Sequence, residues 1–353
     1  MYRHQIYQED VERIANSELD WEQFENKRVA VTGATGMTAS MLIDVLMYRN
    51  RNMGANVSII AVTRSKDRII RRFSDYLDDS QFSYVIQNLK NLTPDMGKVD
   101  IVFHASGYTL PDAFETDPIG TVSLNVIGIH KLLSYASTHR TQKIVFFSSV
   151  DIYGTNRGDT GRFTEDYCGY LNCNSTEAGF AESRRVGESL CCAYANQYGM
   201  DVSIARLCKI YGPSMSLEDS KAIARYLKQA IRGEDVVLTG NREEIYSYCY
   251  VADAVAAVLT IAMKGKDGEA YNIADNRETL NAKLLAEKIA AMVSVSVVED
   301  SGVVKPFETG RSYANNYLMD AGKLMKLGWK PEVDMTEGLR RTLQVFSELG
   351  ING

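Results

Sequence analysis

Short apolar runs alternate with longer helical patterns through the first 207 residues of the chain. The runs are rich in valine, isoleucine and phenylalanine, which favours buried strands, and apolar residues recur at helical spacing between them. The predicted strands are Arg28–Thr32, Val57–Thr63, Tyr84–Gln87, Ile101–His104, Lys143–Ser148 and Val202–Leu207. The predicted helices are Met37–Asn50, Val122–Ser137 and Glu177–Tyr198. This alternation predicts an α/β fold with a Rossmann-type, doubly wound parallel sheet.

A glycine-rich turn joins the first predicted strand to the first helix. It contains Gly33, Thr35 and Gly36 and is followed by Met37. Gly33 permits a tight turn, and Gly36 lets the backbone approach a pyrophosphate. The N–H groups and the positive dipole end of the helix then face the phosphates. Because the turn lies between a strand and a helix near the chain start, we predict that these four residues bind a dinucleotide.

The regular alternation ends near residue 206, which suggests a second region. Beyond that point helix, loop and strand patterns mix, until an amphipathic helix at Thr336–Leu349. The predicted division is a helical extension at 1–23, a dinucleotide-binding domain at 24–206 plus about 247–275, and a smaller, discontinuous C-terminal α/β substrate-binding region at about 207–246 plus 276–353.

The second predicted strand ends without the acidic residue that binds the ribose 2′-hydroxyl of NAD in such folds. Arg64, Ser65 and Lys66 follow it instead. Arg64, with Ser65 and Lys66, can hold a 2′-phosphate, or Arg64 can stack on adenine. Alternatively, the basic run Arg64–Arg72 is only a solvated helix face. We therefore expect NAD or NADP as cofactor, with NADP slightly favoured.

Composition excludes several other classes of function. The chain has 353 residues and a net charge of −6, whereas a general nucleic-acid binder needs a clustered basic face. Its apolar stretches are shorter than the ~20 residues that span a bilayer, so we expect no membrane partner and a cytoplasmic location. The six cysteines form no C-x-x-C pair and have no matching histidine cluster, which predicts no metal site.

A series of short motifs resembles, in order, the extended short-chain dehydrogenases that act on nucleotide sugars as epimerases, dehydratases and decarboxylases. The resemblance covers roughly residues 26–345. After the glycine-rich turn, the matching segments are His104-Ala105-Ser106-Gly107, Asp117-Pro118 with Thr121, Asn125-Val126 with Gly128, Ser148-Ser149 with Tyr153-Gly154, Arg206 to Pro213, Tyr250-Val251-Ala252-Asp253, Gly268 to Ile273 and Leu327-Gly328-Trp329. The ordered series is more specific than any single motif.

The resemblance implies an internal redox reaction on a nucleotide sugar. In this family the cofactor takes hydride, usually from the sugar C4, and the resulting ketone permits elimination, decarboxylation or epimerisation. A tyrosinate removes the C4 hydroxyl proton, a lysine four residues later binds the nicotinamide ribose, and a serine or threonine hydrogen-bonds the same hydroxyl. On the same basis, Ala105, Ser106, Asn125 and Leu207 are expected to contact the cofactor.

The chain departs from the family at both chemical residues. The family's Y-x-x-S-K-x-x-x-E helix matches Phe180 to Glu188, so Phe180 stands at the tyrosine position and Arg184 at the lysine position. Phe180 has no proton to exchange. Arg184 can donate to ribose hydroxyls, but its charge cannot be tuned as that of a lysine can. General acid–base catalysis contributes about 10²–10⁴-fold, so ordinary hydride chemistry should be crippled unless another group carries the proton.

Ser149 keeps the family's hydroxyl position, and Asp151 falls where dehydratases and decarboxylases of the family carry a glutamate. Each also has a purely structural interpretation, because Ser149 can bond local backbone at the end of a strand and Asp151 can cap a turn. The candidate substitute proton carriers are Ser149, Asp151, Tyr153, Tyr170, Cys173 and Glu182.

Three further residues are candidate substrate contacts by resemblance. Lys209 replaces an asparagine that often contacts substrate, and Tyr246 stands about where many relatives carry an arginine that holds the diphosphate. Lys209 or Arg311 can supply the missing positive charge. The resemblance also implies a homodimer, formed by the predicted helices Val122–Ser137 and Glu177–Tyr198 of each subunit, and a role in polysaccharide or glycan precursor synthesis.

Two functions are compatible with this pattern. The first is an active nucleotide-sugar epimerase, dehydratase or decarboxylase with an atypical proton carrier. The second is a catalytically weak or inactive paralogue that binds dinucleotide or nucleotide sugar and regulates, or pairs with, an active enzyme.

Overall fold

Seven parallel strands form the central sheet of the protein, whose computed structural model describes residues 2–89, 95–107, 116–217, 219, 221–239, 244–299 and 316–350. The strands of these described residues are Arg28–Thr32 (β1), Ser58–Thr63 (β2), Phe82–Ile86 (β3), Ile101–His104 (β4), Lys143–Ser149 (β5), Val202–Leu207 (β6), Lys209–Tyr211 (β7), Val236–Leu238 (β8), Ile245–Tyr246 (β9), Tyr248–Tyr250 (β10), Ala270–Ile273 (β11), Leu280–Asn281 (β12), Val297–Glu299 (β13) and Asn316–Tyr317 (β14). The sheet has the order β3-β2-β1-β4-β5-β6-β11. This order confirms the predicted Rossmann-type fold.

Helices cover both faces of this sheet, and further helices pack against one another outside it. The α-helices of the described residues are Gln5–Ala15 (α1), Met37–Met53 (α2), Lys66–Arg72 (α3), Pro118–His139 (α4), Gly179–Tyr198 (α5), Ala222–Ile231 (α6), Val251–Lys264 (α7), Ala282–Val293 (α8), Gly322–Met325 (α9) and Met335–Leu349 (α10). Helices α2 and α7 pack on one face, together with α1, and α4 and α5 pack on the other. Each face buries a continuous apolar layer, which is the main driving force for a doubly wound fold.

Three small sheets lie outside the central one. Strand β7 pairs with β10 in parallel, β8 pairs with β13, and β9 lies between β12 and β14. Strand β7 begins two residues after β6 ends, so this part of the chain starts directly at the carboxyl ends of the central strands.

Several predicted boundaries are corrected by local chemistry. Helix α4 begins at Pro118 rather than Val122, because a proline at the first helical position loses no hydrogen bond and the Asp117 carboxylate accepts from the Gly120 N–H at 2.9 Å. Strand β3 begins at Phe82, whose side chain is buried, rather than at Tyr84. Helix α5 begins at Gly179, after a short 3₁₀ turn at Thr176–Ala178, rather than at residue 177.

The N-terminal helix α1 is attached through buried polar contacts as well as apolar ones. The Tyr7 hydroxyl donates to Asp44 of α2 at 2.5 Å, and the Tyr250 hydroxyl donates to Asp10 at 2.5 Å. Burial raises the pKa of the Asp10 carboxyl to about 6. Arg13 forms an ion pair of 3.1 Å with Asp253 at the start of α7. These contacts connect the chain terminus to helices that lie far from it in sequence.

Candidate active site

The glycine-rich turn is tight and leads directly into the uncapped start of helix α2. Gly33 has φ +66°, and a Cβ atom there would lie 2.7 Å from the Ala105 carbonyl oxygen, so no larger residue fits. Gly36 is the N-cap of α2, and no side chain caps this helix. The first N–H groups of α2 therefore point toward the carboxyl ends of the strands, where an anion can bind them. The half-buried Thr35 and Met37 flank this position.

Arg64 and Ser65 lie beside this turn at the end of β2. The β1–β2 register pairs Thr32 with Val62, so Arg64 lies two residues beyond that pair. The Ser65 hydroxyl accepts from the Arg68 N–H at 3.3 Å and caps α3, while the Arg64 side chain is exposed. The basic side chain is thus close to the phosphate turn, on the side where an adenine ribose would lie in this fold.

Ser149 and Asp151 form a direct hydrogen bond. Ser149 is the last residue of β5, and Asp151 lies in the 3₁₀ turn Val150–Tyr153 that follows. The Ser149 hydroxyl donates to Asp151 Oδ2 at 2.7 Å, and the Asp151 N–H approaches Ser149 Oγ at 3.4 Å. Both side chains are half-buried at the carboxyl end of β5. The two residues therefore form a local turn contact. In the same contact, the proton of the Ser149 hydroxyl already points to the Asp151 carboxylate.

Arg184 is buried although it carries a charge. Its side chain is 3% exposed, and Nη1 donates to the Phe147 carbonyl oxygen at 3.1 Å. The guanidinium carbon lies 5.4 Å from the centroid of the Phe180 ring. Burial lowers the pKa of Arg184 to about 10, against the attraction of the Asp151 and Glu188 carboxylates. Phe180 and Arg184 therefore lie together, and Arg184 is close enough to Asp151 to interact with it electrostatically.

Two buried polar atoms beside Gly107 have no hydrogen-bond partner among the described residues. They are Nε of Arg184 and Oδ1 of Asn125. The other end of the Asn125 amide donates to Ser183 Oγ at 2.9 Å, and a Cβ on Gly107 would collide with the Arg184 guanidinium. Buried polar atoms are rarely left without partners, so this cluster can accept an additional polar ligand. Ala105 and Ser106, half-buried beside it, connect it to the phosphate turn, so a dinucleotide fits the residues present.

His104 lies beneath this cluster at the end of β4 and is neutral. Its Nδ1 lies 2.7 Å from the Thr32 hydroxyl oxygen, and burial together with the Arg184 charge lowers its pKa to about 3. A neutral imidazole in this place holds the ends of β1 and β4 together. It is not exposed enough to exchange protons with a substrate.

The other candidate proton carriers are distributed differently. Tyr153 is fully buried: its hydroxyl donates to Asn272 Oδ1 at 2.6 Å and accepts from Arg206 at 2.9 Å, and burial raises its pKa. It is a core residue and not a proton carrier. Glu182 pairs with Arg185 at 3.6 Å, while Tyr170 and Cys173 are exposed. No hydrogen bond among the described residues connects any of these four to Ser149.

Two predicted substrate residues are in contact, although they are 37 positions apart. Lys209 Nζ lies 3.0 Å from the centroid of the Tyr246 ring. Leu207, a predicted cofactor contact, is half-buried at the end of β6. Tyr317 was not among the predicted site residues, and its ring stacks on Tyr246 with centroids 5.0 Å apart. No motif marks Tyr317, because only the pairing of β9 with β14 brings it there. Arg311 lies outside the described residues.

Metal clusters and membrane-spanning helices are both absent from the described residues. Between residues 2 and 350, leaving out the undescribed segments, no group of three His, Cys, Asp or Glu side chains has the geometry of a metal site. Nor does any helix in those ranges combine the length and apolar character needed to cross a bilayer.

A doubly wound parallel sheet, with a glycine-rich turn after its first strand and polar residues at the ends of β4 and β5, defines a dinucleotide-binding protein of the Rossmann class. The family model "NAD dependent epimerase/dehydratase family" matches residues 29–274. The chain therefore belongs to the NAD-dependent epimerase/dehydratase family.

Individual relatives agree with this assignment. A UDP-glucuronic acid decarboxylase of Arabidopsis thaliana is 28% identical over 315 residues, which are 89% of this chain and 87% of that protein. A human dTDP-D-glucose 4,6-dehydratase is 26% identical over 335 residues, covering 91% and 90% of the two chains. The crystal structure of a Bacillus cereus UDP-glucuronic acid 4-epimerase, in complex with UDP-glucuronic acid and NAD, has a TM-score of 0.76 at 18% identity and covers 92% and 100%. That likeness shows a shared fold.

Proposed function

We propose that the protein converts a nucleotide sugar by transient hydride transfer at the sugar C4, using bound NAD or NADP, and that Asp151 accepts the proton through Ser149. The observation that carries this proposal is the 2.7 Å hydrogen bond from the Ser149 hydroxyl to Asp151 Oδ2. In this arrangement Ser149 Oγ can accept a hydrogen bond from a sugar hydroxyl while its own proton is already directed to a carboxylate.

The proton path is short and balanced. As the C4–H bond breaks and hydride leaves, the C4 hydroxyl proton moves to Ser149 Oγ. The Ser149 proton moves at the same time to the Asp151 carboxylate, so no alkoxide persists on the serine. When hydride returns to the sugar, the two protons move back. Phe180 supplies only an apolar wall at this position, since its ring has no exchangeable proton.

When bound, the nicotinamide would supply the hydride acceptor. The residues of this chain would bind and orient the dinucleotide. The first turn of α2 would hold the pyrophosphate through Gly36 and Met37, and Arg184 and Asn125 would offer a donor and an acceptor to the ribose. Arg64, with Ser65, supports a 2′-phosphate because no acidic residue opposes one at the end of β2. We therefore expect NADP to bind more tightly than NAD.

Turnover is tested first with unmodified protein and a panel of nucleotide sugars. The purified protein is incubated with NAD or NADP and with UDP-glucuronate, UDP-glucose, UDP-N-acetylglucosamine, dTDP-glucose, CDP-glucose or GDP-mannose. Chromatography and mass spectrometry then detect a changed mass or an isomer. Conversion of at least one sugar is expected. If none is converted while dinucleotide binds, catalysis by the isolated chain is ruled out.

The proton path is tested with Asp151→Asn and Ser149→Ala. Each should lower kcat by about 10²–10⁴-fold, which is the usual contribution of general acid–base catalysis. The matched control is Asp166→Asn, which neutralises an exposed carboxylate that accepts a hydrogen bond from the Thr164 hydroxyl. The control should keep kcat within about twofold. An Asp151→Asn variant with unchanged kcat would remove Asp151 from the mechanism.

The cofactor proposal is tested by titration. NADP should bind at least several-fold more tightly than NAD, and Arg64→Asp should reverse that order, because a carboxylate repels a 2′-phosphate and accepts from a 2′-hydroxyl. Tighter binding of NAD by the unmodified protein would contradict the assignment of Arg64.

A binding or regulatory subunit is the second candidate function. One observation favours it: the Arg184 guanidinium is buried and donates to the Phe147 carbonyl rather than extending into an open site. In that case dinucleotide or nucleotide sugar binds without turnover, and the protein changes the activity of a paralogue. Multiple turnovers by the isolated chain would exclude this role.

A further inference from the structure

The N-terminal helix α1 contacts the two helices that follow the first two strands of the central sheet. Its Tyr7 side chain is fully buried against α2, the helix that begins at the glycine-rich turn. The same side chain reaches α3, because Arg72, the last residue of α3, donates to the Tyr7 hydroxyl oxygen. Helix α1 precedes residue 29, where the match to the family model begins. It is therefore an element of this chain that the family model does not describe.

A buried ion pair between α2 and α3 lies against this helix. Arg72 donates to both carboxylate oxygens of Asp44 in α2, and the two side chains are 5% and 4% exposed. The Tyr7 hydroxyl donates to the same carboxylate at 2.5 Å and accepts from Arg72 Nη2 at 3.0 Å. Tyr76 donates to it at 3.0 Å, and the Tyr2 ring covers the guanidinium, with its centroid 3.3 Å from Cζ. A buried ion pair is stable only when additional hydrogen bonds satisfy its remaining groups, so the Tyr7 hydroxyl supports this pair.

The ion pair lies at the end of α3 that is away from the proposed cofactor site. Arg64 and Ser65 join β2 to the other end of α3, and the Ser65 hydroxyl caps it. Asp44 lies about two turns into α2, which starts at the glycine-rich turn. The pair therefore fastens the helix that follows Arg64 and Ser65 to the helix that faces the pyrophosphate.

We infer that Tyr7 is a positioning residue for the cofactor. Through the Asp44–Arg72 pair it fixes α3, and so holds Arg64 and Ser65 where the adenosine end of the dinucleotide binds. This inference rests on the dinucleotide binding in the proposed function and not on its proton path. If α3 were loose, the ligand would have to order it, and that cost would weaken binding.

Binding is measured by calorimetry on the full chain, independently of turnover. ADP and adenosine 2′,5′-bisphosphate probe the adenosine half of the site, and NADP probes the whole of it. Tyr7→Phe removes one hydroxyl and keeps the buried ring. It should raise the Kd of all three probes about 3–10-fold, which is the effect of ordering one or two side chains on binding. The bisphosphate should lose more affinity than ADP, because Arg64 and Ser65 hold its 2′-phosphate.

The matched control is Tyr250→Phe, because α1 has a second buried contact of the same chemistry. The Tyr250 hydroxyl donates to Asp10 of α1 at 2.5 Å, and Arg341 of α10 donates to the same carboxylate at 3.1 Å. This contact faces α7 and α10 instead of α3. Both variants lose a buried hydrogen bond to a carboxylate, so both should lower the melting temperature by similar amounts. Tyr250→Phe should nevertheless keep all three Kd values within about twofold.

The route through Arg72 needs a further variant. Arg72→Lys keeps the positive charge but loses the two-pronged contact with Asp44, so it should also weaken binding. Combined with Tyr7→Phe, it should raise the Kd by less than the product of the two separate effects, since both act through one ion pair. A combined effect equal to that product would overturn the route through Arg72.

All measurements are made at a temperature where circular dichroism shows each variant to be fully folded. Unchanged binding in Tyr7→Phe overturns the inference, and so does an equal loss in Tyr7→Phe and Tyr250→Phe, which would indicate a general loosening of α1. Weaker binding confined to Tyr7→Phe supports the inference even if the unmodified protein converts no sugar, a result that counts only against the proposed chemistry. If the unmodified protein binds none of the three probes, the inference and the proposed function both fail.

Discussion

We expect the buried charge of Arg184 to lower the stability of the fold and to strengthen dinucleotide binding, and both effects can be measured. Its pKa is lowered to about 10 by burial, although two carboxylates attract it. Since one pKa unit corresponds to about 1.4 kcal/mol, the lowering from the ordinary arginine value means that the charged side chain destabilises the fold by roughly 3 kcal/mol. The sign follows from a folded-state pKa below the unfolded one. The destabilisation is complete at pH values below about 10, and it disappears only above the ordinary arginine pKa.

Replacing Arg184 with methionine removes the charge and keeps most of the length. Removing the buried charge should stabilise the fold by roughly 3 kcal/mol. Losing the hydrogen bond to the Phe147 carbonyl should cost about 1–2 kcal/mol. The net increase in unfolding free energy is therefore about 1–2 kcal/mol. Without dinucleotide, urea unfolding at pH 7.5 should show this increase. Dinucleotide affinity should fall by at least about tenfold, because charged donors beside a ribose contribute that much or more.

The neighbouring residue provides the control. Arg185 lies on the same helix but is half-exposed, and it donates to the Ile152 and Gly169 carbonyl oxygens at 2.7 and 2.8 Å. Arg185→Met should therefore destabilise the protein and leave dinucleotide affinity nearly unchanged. Arg184 does not carry a destabilising buried charge if Arg184→Met lowers stability as much as Arg185→Met does. It does not bind dinucleotide if Arg184→Met binds dinucleotide as well as the unmodified protein does.

Three further predictions concern acidity, chemistry and assembly. Because the pKa of Asp10 is raised to about 6, its protonated form stabilises the fold fully at low pH, and this stabilisation is lost as pH rises through 6. Between pH 4 and 7 the unfolding free energy of Asp10→Asn should therefore fall by about 2 kcal/mol less than that of the unmodified protein. Parallel pH curves for the two proteins would contradict this. Phe180→Tyr combined with Arg184→Lys should restore a second proton carrier, so that Asp151→Asn lowers kcat less than about tenfold in that background; an undiminished loss would show that the tyrosine is not productive there. Ile119, 78% exposed on α4, should lie in a dimer interface, and Ile119→Asp should convert a dimer to a monomer in sedimentation; a monomeric unmodified protein would contradict the expectation.

Local sequence was sufficient to predict the glycine-rich turn and the strands and helices around it. The turn from Gly33 to Met37 and the strand–helix alternation depend on residues close in the chain, because a tight turn needs glycine where φ is positive and a strand needs a short apolar run. The helix boundaries were less accurate, since capping by Asp117 and Pro118 decides where α4 begins.

Tertiary structure decided the rest of the site, because its contacts join residues that are distant in sequence. The motif containing Tyr153 suggested a proton carrier, and only the fold shows its hydroxyl buried between Asn272 and Arg206. The pairing of Lys209 with Tyr246 requires β7 and β9 to meet, and no periodicity predicts it. The replacement of lysine by Arg184 is visible in the sequence. Its buried charge is not, since desolvation depends on every element packed around the side chain.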